Sequence, residues 1–560
     1  MLDTQVNPLL SIEEVARRAG LAHEHLSPYG RHKAKIDHRI GQGARRKGAR
    51  YILVTAITPT PAGEGKTVTT IGLSMALARL GHRAVCTIRQ PSMGPVFGVK
   101  GGGAGGGASQ VVPMEELNLH LTGDFHAVAA ANNLLAAALD TSLLLDNPLG
   151  IDAERITWRR VVDMNDRALR QVRIGLGGEQ NGVPRETGFD ITSASELMSV
   201  IGLARSRADM RERLESIVVA EKKGGGFVTA GELGVAGAMA AILKDALDPT
   251  LMQTCEGTPA LVHGGPFANI SFGNSSVLGD AVALRHFDHV VTEAGFGADM
   301  GAEKFLDIKC RVSGTSPDVA VLVATVRGLK AHSGRFELKP GTPLPKELLA
   351  EDLEALETGC ANLRAQIQNV RQFGIPVVVA VNRFPGDTER ELALLERLAR
   401  EAGAEACAVS ELFARGGAGG EDLARAVAEV AERGGARYRP LYDLDQSIED
   451  KIRTLATRLY GAASIELAPR AQADIRRYTE LGYARLPICV AKTQYSLSHD
   501  PKRKGAPTGY VFPIREVRLQ AGGGFLVPLA GDILTMPGLG RNPAYRGIDL
   551  GPDGHVTGLF

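Results

Sequence analysis

The chain has 560 residues, and at about 150 residues per domain this predicts three or four domains with at least one large core. Sixty-four Lys and Arg against sixty-three Asp and Glu leave a net charge of +1, which excludes a broad, sequence-independent nucleic-acid surface and confines any basic site to a local patch. With 44% hydrophobic and 23% charged residues the composition is globular, neither disordered nor collagenous. Glycine is the exception: its 67 residues stand well above the usual ~7% and ask for close backbone approaches.

Six cysteines, Cys86, Cys255, Cys310, Cys360, Cys407 and Cys489, are scattered without a C-x-x-C pair. Neither a zinc ribbon nor a disulfide framework is expected, and a reducing, cytoplasmic location fits. Residues 1–18 carry Asp3, Glu13 and Glu14 and lack a continuous apolar run, unlike a secretory signal. No apolar run approaches the ~18 residues of a membrane span, so none is expected.

In chain order, the pattern predicts a strand over 52–57, a glycine-rich turn through Lys66 and a helix over 68–80. A second strand follows over 84–88, a buried helix over 127–139, and further strands over 260–263, 289–292 and 319–325. Short apolar runs separated by helical segments point to a parallel sheet covered on both faces. Helices over 350–373 and 389–401 flank another strand at 376–381, and a helix over 448–460 leads into a β-rich end with strands at 488–492, 511–519 and 525–529. The expected fold class is α/β: a P-loop-containing large parallel-sheet nucleotide-binding and catalytic domain over 1–340, a smaller α/β domain over 341–450, and a C-terminal β-rich domain over 451–560.

The sharpest motif is Thr60-Pro61-Ala62-Gly63-Glu64-Gly65-Lys66-Thr67, between a strand and a helix. Backbone N–H groups in such a loop converge on phosphate oxygens, Lys66 adds a cation, and Thr67 can ligate Mg²⁺. Thr60 stands where the usual spacing has glycine, so the loop is a variant. Arg89 ends the second strand, where open sheets place ligands, and its planar guanidinium suits a carboxylate or acyl phosphate. The glycine run 101–107 reads alone as a flexible linker; flanked by Arg89 and Lys100 it reads as a loop that wraps an anion.

His120, Asp124 and His126 lie within nine residues at a helix start. Their spacing is no standard zinc pattern, and Asp124 stays open between a site residue and a helix-terminal one. The loops His263–Asn269 and Glu293–Lys304 each follow a predicted strand and mix glycine with polar groups, as site-lining loops and ordinary turns both do. Phe384 and Phe413 end two further strands beside Arg383 and Arg415. Two such rings can clamp a flat heterocycle with an anionic tail, or simply pack.

Together with Phe189-Asp190-Ile191-Thr192, Ala491-Lys492-Thr493-Gln494-Tyr495-Ser496-Leu497-Ser498 and Thr535-Met536-Pro537-Gly538-Leu539, these strings resemble the formate–tetrahydrofolate ligase (10-formyltetrahydrofolate synthetase) family from residue 51 to 560. The resemblance implies ATP-dependent ligation of formate to tetrahydrofolate through formyl phosphate, giving 10-formyltetrahydrofolate, ADP and phosphate. It implies Lys66 and Mg²⁺ on Thr67 at the triphosphate, Arg89 on formate and formyl phosphate, and Asp124 with His120 or His126 near the N10 proton. Phe384 and Phe413 would sandwich the pterin, and the assembly would be a homotetramer without nucleic-acid or membrane partners. Several positions depart from the family pattern. Phe413 replaces Trp, Gln90 replaces the Glu that a monovalent-cation site beside Arg89 would use, residues 271–276 differ, and Gly540 replaces Pro. A P-loop ATPase switch without folate chemistry is the alternative, and a degenerate folate-binding protein is a third reading. The intact Lys66, Thr67 and Arg89 weigh against the latter.

Overall fold

The computed structural model describes residues 9–99, 103–339 and 342–559. Lys100, Gly101 and Gly102 of the expected anion-wrapping loop lie outside the described residues, as does the 340–341 boundary between the first two expected domains.

A twelve-stranded sheet organises the chain. Its strands are β1 (Leu26–Pro28), β2 (Ala34–Ile36), β3 (Arg50–Ala56), β4 (Ala84–Ile88), β5 (Gly105–Gly106), β6 (Ser109–Val112), β7 (Thr250–Thr254), β8 (Pro259–Val262), β9 (His289–Glu293), β10 (Val319–Ala324), β11 (Val377–Asn382) and β12 (Ala406–Ser410). The order is β1-β2-β7-β8-β4-β9-β3-β10-β11-β12, with β6 beside β7 and β5 beside β6. From β8 to β12 every neighbour is parallel, as the apolar runs predict. The sheet is nevertheless mixed. A tight turn at Glu256–Gly257, closed by Thr254 N–H to Thr258 O at 2.8 Å, forces β7 antiparallel to β8, and β1, β2, β5 and β6 add further antiparallel pairs.

Alternation along β3 shows why the sheet needs cover on both sides. Ile52 and Val54 join Leu73, Ala76 and Leu77 of the Lys66–Arg79 helix and Leu423 and Val427 of the Glu421–Arg433 helix. Tyr51 and Leu53 face the other way, towards Leu356, Leu363 and Ile367 of the Leu353–Gln372 helix. β11 and β12 belong to the same sheet as β3, so the sheet runs through from the first expected domain into the second.

Between β6 and β7 the chain builds a second core from the Asp124–Leu144 and Glu196–Leu203 helices, with Phe125, Val128, Leu135, Leu197, Ile201 and Met239 at its centre. The Asp124–Leu144 helix is, by length and composition, long and apolar enough to cross a membrane; its stripe Phe125, Val128, Ala131, Leu135 and Leu139 is spent on this core. The C-terminal part is less β-rich than expected. It holds three two-stranded pairings beside the Ile448–Arg458 and Pro469–Glu480 helices. The strand expected at 488–492 is reduced to two parallel bridges, Ile488 to Leu526 and Ala491 to Leu529.

Candidate active site

The carboxyl ends of the seven parallel strands share one edge, and the expected loops at 60–67, 89–99, 263–269, 293–304, 382–385 and 413–417 leave from it, whereas His120, Asp124 and His126 follow the Met114–Asn118 helix. After β3, Gly63 (φ 73°) and Gly65 (φ 78°) take the left-handed backbone that a Cβ disfavours, turning the chain into the Lys66–Arg79 helix. Glu64 is buried; its Oε1 accepts Thr60 N–H at 2.7 Å and Thr60 Oγ1 at 2.9 Å, folding the loop on itself. Two neighbouring strand ends pin it from outside. Asn382 Nδ2 donates to Glu64 O at 2.8 Å, and Arg327 donates to Ala62 O at 2.7 Å. The chain's own hydrogen bonds thus shape the loop, with a helix N-terminus behind it.

Thr67 Oγ1 donates to Glu293 Oε2 at 2.9 Å, and Arg89 Nη2 lies 3.3 Å from Glu293 Oε1. One buried carboxylate at the end of β9 therefore joins the threonine of the loop to the arginine at the end of β4. Arg89 Nη1 also donates to Pro266 O at 3.2 Å, while its buried Nε has no hydrogen-bond partner among the described residues. Thr67 hydroxyl and Glu293 carboxylate are hard oxygen donors, the chemistry a magnesium ion selects.

The segment after Arg89 is held by Asp163 and Asn165, which lie in the part of the chain between β6 and β7. Ser92 Oγ and Met93 N–H donate to Asp163 at 2.5 and 3.0 Å, and Gly94 and Gly98 pack so closely on Asn165 that a Cβ at either would collide with it. Burial pushes the Asp163 carboxyl above its usual range, against the hydrogen bonds from Ser92 and Met93 and the nearby His126. Gln90 is buried with an orphaned Oε1 among the described residues.

His120 Nδ1 and His126 Nε2 form a 2.9 Å hydrogen bond at the surface. Asp124 is separate from this pair. As the first residue of its helix it is buried and takes both carboxylate oxygens to Lys35 Nζ at 2.7 and 2.8 Å. Lys35 comes from β2, a three-residue strand between β1 and β7 whose sequence carries no signal of a buried cation.

Phe384 and Phe413 follow β11 and β12, whose last paired residues are Asn382 and Ser410. No ring contact joins them among the described residues. The Phe384 ring is covered on one face by the Arg327 guanidinium, 3.3 Å from its centroid. Phe413 is 55% exposed and lies against the glycine run at Gly106 and Gly107. Arg327, one residue into a helix whose only sequence mark is Thr325, is a site neighbour that sequence reasoning missed.

Further side chains of the expected loops are engaged in buried contacts. His263 is buried neutral, its pKa pushed down to about 4 by burial; it shares a 2.6 Å bond with Ser276 Oγ and one of 2.8 Å with Ala246 O. Asp299 pairs with Lys492 at 2.7 Å in full burial and accepts from Gln366 at 2.6 Å; Gln366 also donates to Thr58 Oγ1 at 3.0 Å, tying the 491–498 string to the segment that enters the 60–67 loop. Asp190 accepts from Thr535 Oγ1 at 2.6 Å, Ile191 N–H donates to Thr535 O at 2.9 Å, and Arg167 donates to Leu539 O. Two strings far apart in sequence thus clasp each other.

The family model described as formate–tetrahydrofolate ligase matches residues 3–560. Curated relatives of that name align along nearly their whole length. The protein of Roseiflexus sp. is 57% identical over 556 residues, 99% of this chain and 98% of the relative. That of Chloroflexus aggregans is 56% identical over 554 residues, 98% and 97% of the two chains, and one of Rubrobacter xylanophilus is 54% identical over 562 residues, 99% and 98%. Similarity that covers residues 3–560, and with them the 60–67 loop, the Arg89 segment and the clasp near residue 535, leaves one conclusion: the chain belongs to the formate–tetrahydrofolate ligase family.

Proposed function

We propose a division of labour for the reaction of this chain, the ATP-dependent ligation of formate to tetrahydrofolate. The observation that carries it is the Glu293 carboxylate, which bonds Thr67 on one side and Arg89 on the other and so makes one site of a triphosphate loop and a carboxylate-binding arginine.

Thr60, Pro61, Ala62, Gly63, Glu64, Gly65, Lys66 and Thr67 form a P-loop that cradles the ATP phosphates, with Lys66 supplying charge where the γ-phosphoryl group transfers. Thr67 and Glu293 would hold Mg²⁺, which when bound offsets phosphate charge. Arg89 orients formate through its fork of donors. A formate oxygen forms a bond to the γ-phosphorus as the bridging bond to ADP breaks, giving formyl phosphate. N10 of the folate then attacks the formyl carbon and phosphate leaves, while His120 and His126 accept the N10 proton and relay it to solvent. Asp124, fixed by Lys35, positions the helix that carries His126. Phe384 and Phe413 stack on the pterin from adjacent strand ends.

In this reading residues 1–340 bind nucleotide and perform the chemistry, 341–450 supply the folate-site loops, and 451–560 support them from behind. Six free thiols suit a cytoplasmic setting, and the family resemblance carries a homotetramer, to be checked by sedimentation. The deciding assay follows 10-formyltetrahydrofolate production with ATP, formate and tetrahydrofolate for the native chain and Lys66→Ala. Native turnover that requires formate, reduced at least about 100-fold by the substitution, supports the assignment; near-native turnover of Lys66→Ala overturns it.

A further inference from the structure

The 491–498 string does more than bury the Lys492–Asp299 pair. Three residues on, Tyr495 leaves the buried network and lines a cavity of about 130 Å³. The same cavity is lined by Thr60 and Pro61, the first residues of the 60–67 loop, and by His332 and Phe336. His332 is a fixed wall. Burial holds it neutral, with its pKa down to about 4; its Nε2 bonds Thr58 O at 2.8 Å, and its Nδ1 faces Gly505 N–H at 3.4 Å. The rim is basic. Lys502, Arg503 and Lys504 are consecutive and exposed, Lys504 lines the cavity itself, and Asp500 is the acid that Arg503 faces, at 3.9 Å.

Phe384 meets the start of the Val326–His332 helix, and the cavity is lined by its end. Arg327 stacks on Phe384 and bonds Ala62 O, while His332, five residues on and thus about 7.5 Å further along the axis, lines the cavity. An apolar chamber walled by Tyr495 and Phe336 with a cationic mouth suits an aromatic ring bearing a carboxylate. Tetrahydrofolate carries such a group beyond N10. We propose that the Tyr495–Phe336–Lys504 cavity binds the benzoyl-glutamate tail of the folate, with Lys504 facing its carboxylates; this rests on the assignment of the pterin to Phe384 and Phe413.

The test compares tetrahydrofolate with tetrahydropteroate, which keeps pterin and benzoyl ring but lacks the glutamate. Lys504→Gln should raise KM for tetrahydrofolate about threefold to fivefold, as loss of an exposed ion pair allows, and leave KM for tetrahydropteroate and ATP unchanged. Lys504→Arg should restore tetrahydrofolate. Phe336→Ala should raise both pteridine KM values together and spare ATP. Equal effects of Lys504→Gln on the two pteridines, a rise in the KM for ATP, or no change in any KM overturns the proposal. Phe413→Ala in parallel separates the two assignments: unchanged tetrahydropteroate KM there, beside glutamate-selective loss in Lys504→Gln, would remove the pterin clamp and keep the tail site.

Discussion

Glu293→Gln isolates the charge that joins the two halves of the site. At 3.3 Å from Arg89 and an effective dielectric of about 20, the gross attraction is about 5 kcal/mol. Arg89 keeps 24% of its side-chain surface in solvent, so desolvation and screening reduce the net loss to the ~1.5–3 kcal/mol of a charge-assisted hydrogen bond. Glutamine preserves shape and can still accept from Thr67, but its amide then faces the guanidinium donor to donor, and a neutral group holds Mg²⁺ poorly. The expected result is a fall in kcat/KM of roughly 10- to 100-fold together with a higher half-saturating Mg²⁺ concentration. Initial rates across a Mg²⁺ titration, with the melting temperature as a folding control, read both. Turnover within about twofold of native and an unshifted Mg²⁺ curve would refute the bridging role.

Arg89→Lys keeps charge but loses the fork that meets Pro266 O and Glu293 together, so formate-dependent turnover should collapse while ATP binding, read by calorimetry, persists; weak ATP binding with normal saturated turnover would move Arg89 to the nucleotide. Phe413→Ala should raise KM for tetrahydrofolate severalfold and Phe413→Trp lower it, matching the ~0.5–1.5 kcal/mol of aromatic stacking. Because the ring is exposed, the melting temperature should barely move, and a large drop would mark it as a packing residue. Burial pushes Glu196 up to about 7, so the native chain holds that proton more tightly than the unfolded chain. The stability it contributes is full below about pH 4.5 and is lost as pH rises through about 7, on the order of 3 kcal/mol. Glu196→Gln keeps an acceptor for the Gly522 and Gly523 N–H groups and should melt a few degrees above native near pH 8 but not near pH 5; an equal difference at both would exclude this ionisation.

The sequence disclosed what local pattern encodes. β4 and the Glu389–Glu401 helix fall on their expected bounds, the first as an apolar run and the second between Thr388 and Glu401, with a capping box of Thr388 and Glu391 at its start. That the 60–67 loop, Arg89, Phe384 and Phe413 follow strand ends was legible because each comes after an apolar run. Lys35, Asp163 and Arg327 were not, since each acts on the site through a partner more than fifty residues away in the chain: Asp124, Ser92 and Ala62. The β edge at 26–36 escaped for a related reason, its three-residue strands being too short for a period-2 signal. The expected strand 511–519 divides at Arg515 because its two halves pair with different partners, Ser464–Leu467 and Phe525–Leu529.

The clasp between residues 189–192 and 535–539 has a consequence for biosynthesis. Asp190 and Thr535 are 345 residues apart, and at about 5–20 residues per second a ribosome needs roughly 20–70 s to make the second after the first. The phosphate loop and Arg89 leave the ribosome early, yet the segment after Arg89 rests on Asp163 and Asn165, within a region whose Arg167 and Arg170 grip Leu539 and Met536. The sheet up to β9 can form while translation continues; the floor beneath Arg89 is completed only near its end. With the 60–67 loop on ATP and Arg89 on formate, as proposed above, ribosome-bound intermediates of increasing length should gain ATP binding well before they gain formate-dependent chemistry.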